Sequence, residues 1–350
     1  EMFAQLYGDP ATDPFSRGRQ MNCHFATAFI DRAGAFTPQR DLFNITSDIA
    51  PTAGQVARAL GLALASKKYR EYPEICGELS RNGNEVCFCT IGDASTSEGA
   101  FWETMNAAGV MQVPLSMSVW DDGYGISVPK KYQTVKESIS EALSGMGGPV
   151  GNGMLIQTAK AWNYVELCEL YASTTRHIRT THQPALLHIE EVTQQLGHST
   201  SGDHRRYKNA ERLKYEEEYD CNRRFADWIM EQGIATPADL EDIRNQARKD
   251  VAEAAQRTYR KYHHAVSLFS TETIAHLQGV RAVHPDVPEL ATLQQKLEGM
   301  REPLRYEVLK TARLALLALH HKNSLQKEEL AEFIQRERNT GAEDYGQYLY

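Results

Sequence analysis

Residues 86–127 read VCFCTIGDASTSEGAFWETMNAAGVMQVPLSMSVWDDGYGIS. Val86 to Ile91 is a short apolar, β-branched run without charge, the pattern of a parallel strand covered on both faces. It stops at Gly92-Asp93, and Ser95 and Glu98 are spaced as a capping box, so a helix is expected to begin near Ser95. Its free N–H groups and positive dipole end would face the strand tip, which makes an anion site. Phe101, Met105, Ala108 and Met111 recur at helical spacing, and Pro114 ends the run. Leu115 to Trp120 is a second strand, ending at Asp121-Asp122-Gly123-Tyr124.

Both strands thus deliver carboxylates to one edge of a sheet. In a doubly wound sheet ligands bind beyond the carboxyl ends of the strands, so Asp93 and Asp121 or Asp122 are expected to meet there. Carboxylates that converge beside a diphosphate need a cation. Mg²⁺ fits, because it takes oxygen ligands and is held by one or two carboxylates plus phosphates.

The stretch resembles the thiamine-diphosphate motif, which opens with Gly-Asp-Gly, closes near Asn-Asn and separates its metal ligands by about thirty residues; here Asp93 and Asp122 lie 29 apart. Ser97-Glu98-Gly99, Asn106-Ala107-Ala108, Pro114 and Tyr124-Gly125-Ile126-Ser127 are similar, more narrowly, to the alpha subunit of the decarboxylating component of 2-oxo acid dehydrogenase complexes. GRQMNCHF, residues 18–25, is similar to the branched-chain type. The resemblance implies thiamine diphosphate and Mg²⁺ as cofactors, with Asp93, Asp122 and the Tyr124 carbonyl as metal ligands and with Gly92 and Ala94 giving backbone contacts to the diphosphate. It places Ala50, Pro51 and Thr52 against the thiazolium ring and substrate, with Ile126 pressing from the other side; plain core packing competes for Ile126.

Two departures mark the motif. Ala94 replaces its second glycine, and Asp122 replaces the usual metal-binding asparagine. Trp120 and Gln194-Gln195 stand where relatives carry basic groups for the diphosphate. By this reading diphosphate charge is met by Mg²⁺, by backbone N–H groups and by something outside the chain.

Around the central unit, Met2 to His24 is a short helix and a Gly, Pro and Asp-rich loop, in which Arg17, Arg19 and His24 are candidate anion contacts or ordinary surface residues. Leu42 to Thr46 is a candidate strand, and a helix is expected from Thr52 to Lys68, with Pro51 at its start and Lys67-Lys68 at its negative end. Tyr132 to Gly153 reads as a helix and a glycine-rich loop. Met154 to Thr158 is a strand, Asn163 to Thr180 a helix and Ala185 to Val192 a strand. The alternation implies a doubly wound, mostly parallel sheet with helices on both faces. The polar segment TQQLGHSTSGDHRRYK, residues 193–208, follows the last strand. It resembles the family's mobile loop, which implies a catalytic role for His198 before Ser199; a solvated loop histidine is the plainer reading.

Asn209 to Glu231 and Ala238 to Tyr262 read as amphipathic helices, assigned to partner docking or to a solvated face, and Arg301 to Arg338 as further helices. The expected division is a cofactor-binding α/β domain over 1–205, a helical part over 206–300 and a helical linker over 301–350. The resemblance implies a site shared with a beta-like subunit or fused beta half, which supplies an activating glutamate. It also implies a lipoyl-bearing acyltransferase as acyl acceptor and a dimer of alpha-beta units. A beta-like half following Tyr350 in the native chain is the expectation.

The 350 residues are 41% hydrophobic and 24% charged, enough for a sizeable core, and the net charge of −8 argues against a nucleic-acid surface. No apolar run reaches membrane-spanning length, and the chain is read as cytoplasmic; six cysteines occur without a C-x-x-C pair, which leaves a zinc site or redox motif little support. The expected activity is oxidative decarboxylation of a 2-oxo acid, branched-chain first and pyruvate next, with acyl transfer to a lipoyl carrier. Two alternatives stay open: a non-catalytic cofactor-binding or scaffolding relative, and another thiamine enzyme such as acetoin dehydrogenase or a transketolase-like transferase.

Overall fold

The structure, a computed structural model, describes residues 34–35, 40, 51–77, 79–80, 82–194, 196–198 and 202–345. Arg17, Arg19, His24, the Leu42–Thr46 strand, Ala50, Gln195, Ser199 and Ser201 lie outside the described residues. The chain divides into two compact units, which meet in sequence at Thr236 and Pro237.

Among the described residues the first unit is built on four parallel strands, β1 (Cys87–Gly92), β2 (Leu115–Trp120), β3 (Leu155–Lys160) and β4 (Ala185–Glu190), in the order β1-β2-β4-β3. Gly92 pairs with Trp120, Trp120 with Ile189 and Lys160 with Glu190, so all four strands end on one edge. β1 and β2 are joined by helix α2 (Gly99–Met111), and β3 and β4 by α3 (Tyr164–Thr181). The alternate residues of each strand decide which face each helix covers. Cys89, Ile91, Met117 and Leu186 pack with Phe101, Met105 and Ala108 of α2 and with Val56, Ala59 and Ala63 of helix α1 (Gln55–Glu71). Leu187 and Ile189 face the other way, toward Leu167, Leu170 and Tyr171 of α3. α1 and α2 end side by side, where the Lys67 ammonium donates to the Met111 carbonyl at 2.7 Å, satisfying one orphan carbonyl of a helix end. Arg70 donates to the Arg179 carbonyl at the end of α3 at 2.6 Å and so joins the helices of the two faces. The second face is open beside β1, where Phe88 is half exposed next to a groove of about 710 Å³ lined by Tyr171 and Arg176.

Several boundaries differ from the sequence reading, each for a local reason. Ser95 starts no α-helix: Ala94–Ser97 is a single 3₁₀ turn, Glu98 is extended, and α2 begins at Gly99 without a side-chain cap. The Thr96 hydroxyl donates to the Asp93 carbonyl at 2.6 Å, closing that turn in place of the expected capping box. The helix expected from Tyr132, ahead of the glycine-rich loop, is replaced by short turns around Ile139–Ala142, because Lys136 and Glu137 adopt positive φ. Asn209 to Glu231 forms two helices, α4 (Ala210–Glu218) and α5 (Cys221–Glu231), since the Asp220 carboxylate accepts from the Arg223 N–H and caps the second.

The second unit is a helical bundle of α6 (Pro237–Val283), α7 (Pro288–Glu298), α8 (Arg305–Ala318) and α9 (Leu325–Tyr345). Its core gathers Phe269, Leu277, Val280, Leu290, Val308 and Phe333. The helix expected over Ala238 to Tyr262 is the first part of α6. Among the described residues no helix is long and apolar enough to cross a membrane.

Phe101 and Met117 are fully buried at the centre of the first core. Phe101→Ala is expected to cost ~3–5 kcal/mol in urea unfolding, because a cavity adds to the lost transfer energy. Val110→Ala, on the exposed face of the same helix, is expected to stay within ~0.5 kcal/mol.

Candidate functional site

The edge where the strands end gathers Asp93 after β1, Asp121 and Asp122 after β2, and Glu191 after β4. The Asp121 N–H donates to the Ile189 carbonyl and the Val192 N–H to the Asp121 carbonyl, both at 2.9 Å, so the ends of β2 and β4 are laced together. Beyond Asp122 the chain turns through a two-residue ladder, Tyr124–Gly125 against Val128–Pro129. This hairpin leans on the turn after β1. A Cβ on Gly125 would come 2.8 Å from Ala94 Cβ and 2.6 Å from the Gln133 amide, closer than real side chains approach. Gly125 therefore lets the two halves of the site meet.

The three carboxylates are treated differently. Asp93 is buried, and its Oδ2 has no hydrogen-bond partner among the described residues. Burial raises its pKa to about 7, the charges of Asp121 and then Asp122 add to the rise, and the Ala94 N–H and Lys130 oppose it. Asp121, equally buried, is committed to its own neighbours. Its Oδ1 accepts from the Gly123 N–H at 2.8 Å, and its Oδ2 accepts from Lys130 Nζ at 2.8 Å and pairs with His188 Nε2 at 3.0 Å. Burial works against ionisation there, but the His188 and Lys130 hydrogen bonds prevail and hold the pKa low. Asp122 is partly buried, its pKa is raised by burial, and its Oδ1 accepts from the Tyr124 N–H at 3.0 Å.

Two carboxylates facing a third, with one buried oxygen left unpaired, suit a hard dication, which would replace the missing partner and relieve the repulsion. Asp93 and Asp122 could hold it between them; among the described residues no group of three acidic, His or Cys side chains stands together to do so. Asp121 shapes the site through its neighbours.

Sequence reasoning missed the basic and imidazole groups that the fold brings here. Lys130 follows the hairpin, and His188 is fully buried within β4, its Nδ1 2.9 Å from the Ser140 hydroxyl. From α4, Arg212 reaches Glu191 at 2.5 Å and the Asp122 carbonyl at 3.3 Å. Lys208 is buried against Glu216 at 2.7 Å, with its ammonium 5.1 Å from the centre of the Tyr124 ring. A histidine inside the apolar run ALLHIE was the available signal for His188; nothing local marks Lys208 or Arg212.

His198 is exposed in the segment between Val192 and Lys208. Both ends of that segment return to the site: Val192 bonds Asp121, Lys208 donates to the Gln194 carbonyl at 3.2 Å, and the Tyr207 ring lies 5.5 Å from that of Tyr124. Ile126 is exposed with a left-handed backbone, φ 59°, so it does not pack in the core. Thr52 is exposed in the turn before α1. Gly92 ends β1, directly beside Asp93.

The description "Dehydrogenase E1 component" belongs to a family model that matches residues 19–267, and the chain is a member of that family. The relatives narrow the comparison to one kind of subunit. The chain is 27% identical over 264 residues to the mitochondrial 2-oxoisovalerate dehydrogenase subunit alpha of Pan troglodytes, covering 75% of this chain and 52% of that protein. It is 30% identical over 264 residues to mitochondrial subunit alpha 1 of Arabidopsis thaliana, covering 73% and 48%. It is 26% identical over 245 residues to the Bacillus subtilis subunit alpha, covering 70% and 64%. The chain spans about half the length of the first of these relatives.

Asp93 generates a pH-dependent prediction. Between the ordinary aspartate value, 3.8, and about 7, the unfolded chain sheds this proton while the folded chain keeps it, so stability falls as pH rises through that window. Asp93→Asn is expected to make the metal-free chain more stable than wild type at alkaline pH by ~1–3 kcal/mol, with the difference vanishing in acid. Thermal melts across pH measure it; equal stability at every pH would refute the buried-charge account. Gly125→Val is expected to leave β1 and β2 intact by circular dichroism but to weaken Mg²⁺-diphosphate binding at least tenfold, ~1.4 kcal/mol, by separating hairpin from turn.

Proposed function

We propose that this chain is the alpha-like part of a thiamine-diphosphate-dependent 2-oxo acid dehydrogenase that carries out oxidative decarboxylation and passes the acyl group to a lipoyl carrier. The observation that carries the reading is the unpaired, buried Asp93 oxygen set beside Asp122 and the Tyr124 hairpin at the strand edge. Branched-chain 2-oxo acids are the favoured substrates, on the GRQM stretch and the names of the relatives, with pyruvate next.

Thiamine diphosphate, when bound, supplies the carbanion chemistry that a protein side chain lacks. Asp93, Asp122 and the carbonyl of Tyr124 hold Mg²⁺, while Gly92 and Ala94 offer backbone contacts to the diphosphate. Ile126, on the exposed turn of the hairpin, and Ala50 with Thr52 bound the ring and substrate. Lys130, paired with Asp121 at 2.8 Å, adds positive charge near Asp93, while the diphosphate charge is met by Mg²⁺, by backbone N–H groups and by something outside the chain. His198 serves as proton donor or electrostatic stabiliser. The sheet unit binds cofactor, while the helical residues beyond about 205 and the linker beyond about 300 serve assembly.

A beta-like subunit or fused beta half completes the site, a lipoyl-bearing acyltransferase accepts the acyl group, and the assembly pairs alpha-beta units. A reducing, cytoplasmic setting belongs to this reading.

The first test is calorimetry of thiamine diphosphate with and without Mg²⁺, followed by reduction of an artificial acceptor with branched-chain acids, pyruvate and 2-oxoglutarate in the presence of the beta part. Mg²⁺-dependent binding and turnover on a branched-chain acid are expected, and His198→Ala is expected to lower turnover about a hundredfold while cofactor binding persists. Binding without turnover on any acid would replace the enzyme with a scaffolding relative. Undiminished acyl transfer by His198→Ala would remove that residue's role.

A further inference from the structure

His188 stands inside β4 with no exposed surface, and the reaction assigned above gives it no part. Its neighbours across the sheet are Val119 in β2 and Thr158 in β3. Leu186, two residues earlier on the same face, packs in the apolar core with Met117 and Val119. An imidazole is a poor choice for that face, because each buried ring nitrogen must find a partner.

Both nitrogens have one. Nε2 lies 3.0 Å from Asp121 Oδ2, and Nδ1 lies 2.9 Å from the Ser140 hydroxyl. That hydroxyl is 3.1 Å from the hydroxyl of Ser138, which accepts from the Glu141 N–H at the start of the short helix Ile139–Ala142. An ionised carboxylate only accepts, so Nε2 carries the proton toward Asp121, and Nδ1 of the neutral ring accepts from Ser140. The chain of bonds therefore has one direction along its whole length.

What it holds is the first residue beyond β2. The Asp121 main chain is tied to the end of β4 through both its N–H and its carbonyl, and His188 ties the side chain to the same strand. Of the two partners of Oδ2, the Lys130 side chain is 29% exposed and can swing into water, whereas the His188 ring is enclosed and braced by Ser140. With Oδ2 so placed, Oδ1 faces the Gly123 N–H and accepts from it at 2.8 Å. That bond closes the turn that carries Asp122 and Tyr124, in which the Tyr124 N–H donates to Asp122 at 3.0 Å.

A second observation points the same way. The segment that supplies Lys130 also supplies Ser140, so it returns to Asp121 twice, once directly and once through His188. Between these two attachments Lys136 and Glu137 hold φ of 61° and 53°, a region that residues of this kind rarely enter. Such a conformation persists only where its surroundings over-determine it, and the two attachments bracket it.

We propose that His188 is a positioning residue for the cation site: braced by Ser140, it fixes the Asp121 carboxylate and, through Gly123, the turn that carries Asp122 and Tyr124. It acts through Asp121 rather than on the cofactor. The inference rests on the Mg²⁺-diphosphate reading given above.

Calorimetry of thiamine diphosphate tests it, with the 350-residue chain and its beta part, across a series of Mg²⁺ concentrations and without Mg²⁺. His188→Leu is expected to raise the Mg²⁺ concentration for half-maximal binding about tenfold or more, while binding without Mg²⁺ stays within about twofold. His188→Gln, whose amide offers Asp121 a donor, is expected to recover the Mg²⁺ dependence to within about threefold of wild type. Ser140→Ala, at a partly exposed position, is expected to shift it about threefold in the same direction as His188→Leu, and decides the matter should His188→Leu fail to fold. A packing defect alone would weaken binding equally with and without Mg²⁺ and would not be repaired by Gln; either pattern overturns the proposal. Nitrogen NMR of the metal-free chain is expected to show the Nε2–H tautomer for the histidine whose signal His188→Gln removes, and the Nδ1–H tautomer would overturn it. Wild-type binding indifferent to Mg²⁺ brings down the cation reading and this proposal together, whereas Mg²⁺-dependent binding that His188→Leu and Ser140→Ala leave unchanged overturns this proposal alone.

Discussion

Three aspartates brought to one sheet edge repel one another, and two of them are buried where water cannot screen the repulsion. The first unit is organised around how that cost is divided. Asp121 is neutralised internally, by Lys130 from the hairpin and by a hydrogen bond to His188 from the neighbouring strand. Asp93 has less relief, from the Ala94 N–H and from Lys130, and burial together with the charges of Asp121 and Asp122 raises its pKa to about 7. Among the described residues one buried carboxylate oxygen, Asp93 Oδ2, is left without a partner while its neighbour is fully satisfied, and the proposed cation site rests on that contrast.

The surrounding elements serve that division. Strand register aligns Gly92 with Trp120 and Trp120 with Ile189, so the residues that follow emerge level with one another. The hairpin closes against Ala94 only because residue 125 has no side chain. Lys208, just ahead of α4, and Arg212, within it, are both held by the buried Glu216 and bring positive charge from nearly ninety residues after Asp122. The segment bearing His198 is fastened at both ends to the same place, which limits where that imidazole can go. The bundle of α6 to α9 follows a different logic, with a core of its own.

The central strands and α2 were legible because their signals are local and agree with one another: uncharged apolar runs of strand length, helical spacing through Phe101, Met105 and Ala108, and Pro114 between them. The acidic strand ends were legible for the same reason. The capping box at Ser95 misled because Thr96 offered its hydroxyl to the Asp93 carbonyl, and a closed 3₁₀ turn leaves Ser95 no free helix end to cap. The helix expected after Tyr132 failed because positive φ at Lys136 and Glu137 cannot be read from residues that ordinarily favour helix.

By itself the sequence determined the parallel α/β class and the spacing that sets two aspartates at one edge, since these depend on hydrophobic period and on strands that run the same way. Only the tertiary structure decided which aspartate is neutralised and which stands, among the described residues, without a partner and with its pKa raised to about 7. That depends on partners from distant segments, His188 in another strand and Lys130 beyond a hairpin, and the energy of a buried charge is fixed by what stands within a few ångströms of it rather than by its neighbours in the chain.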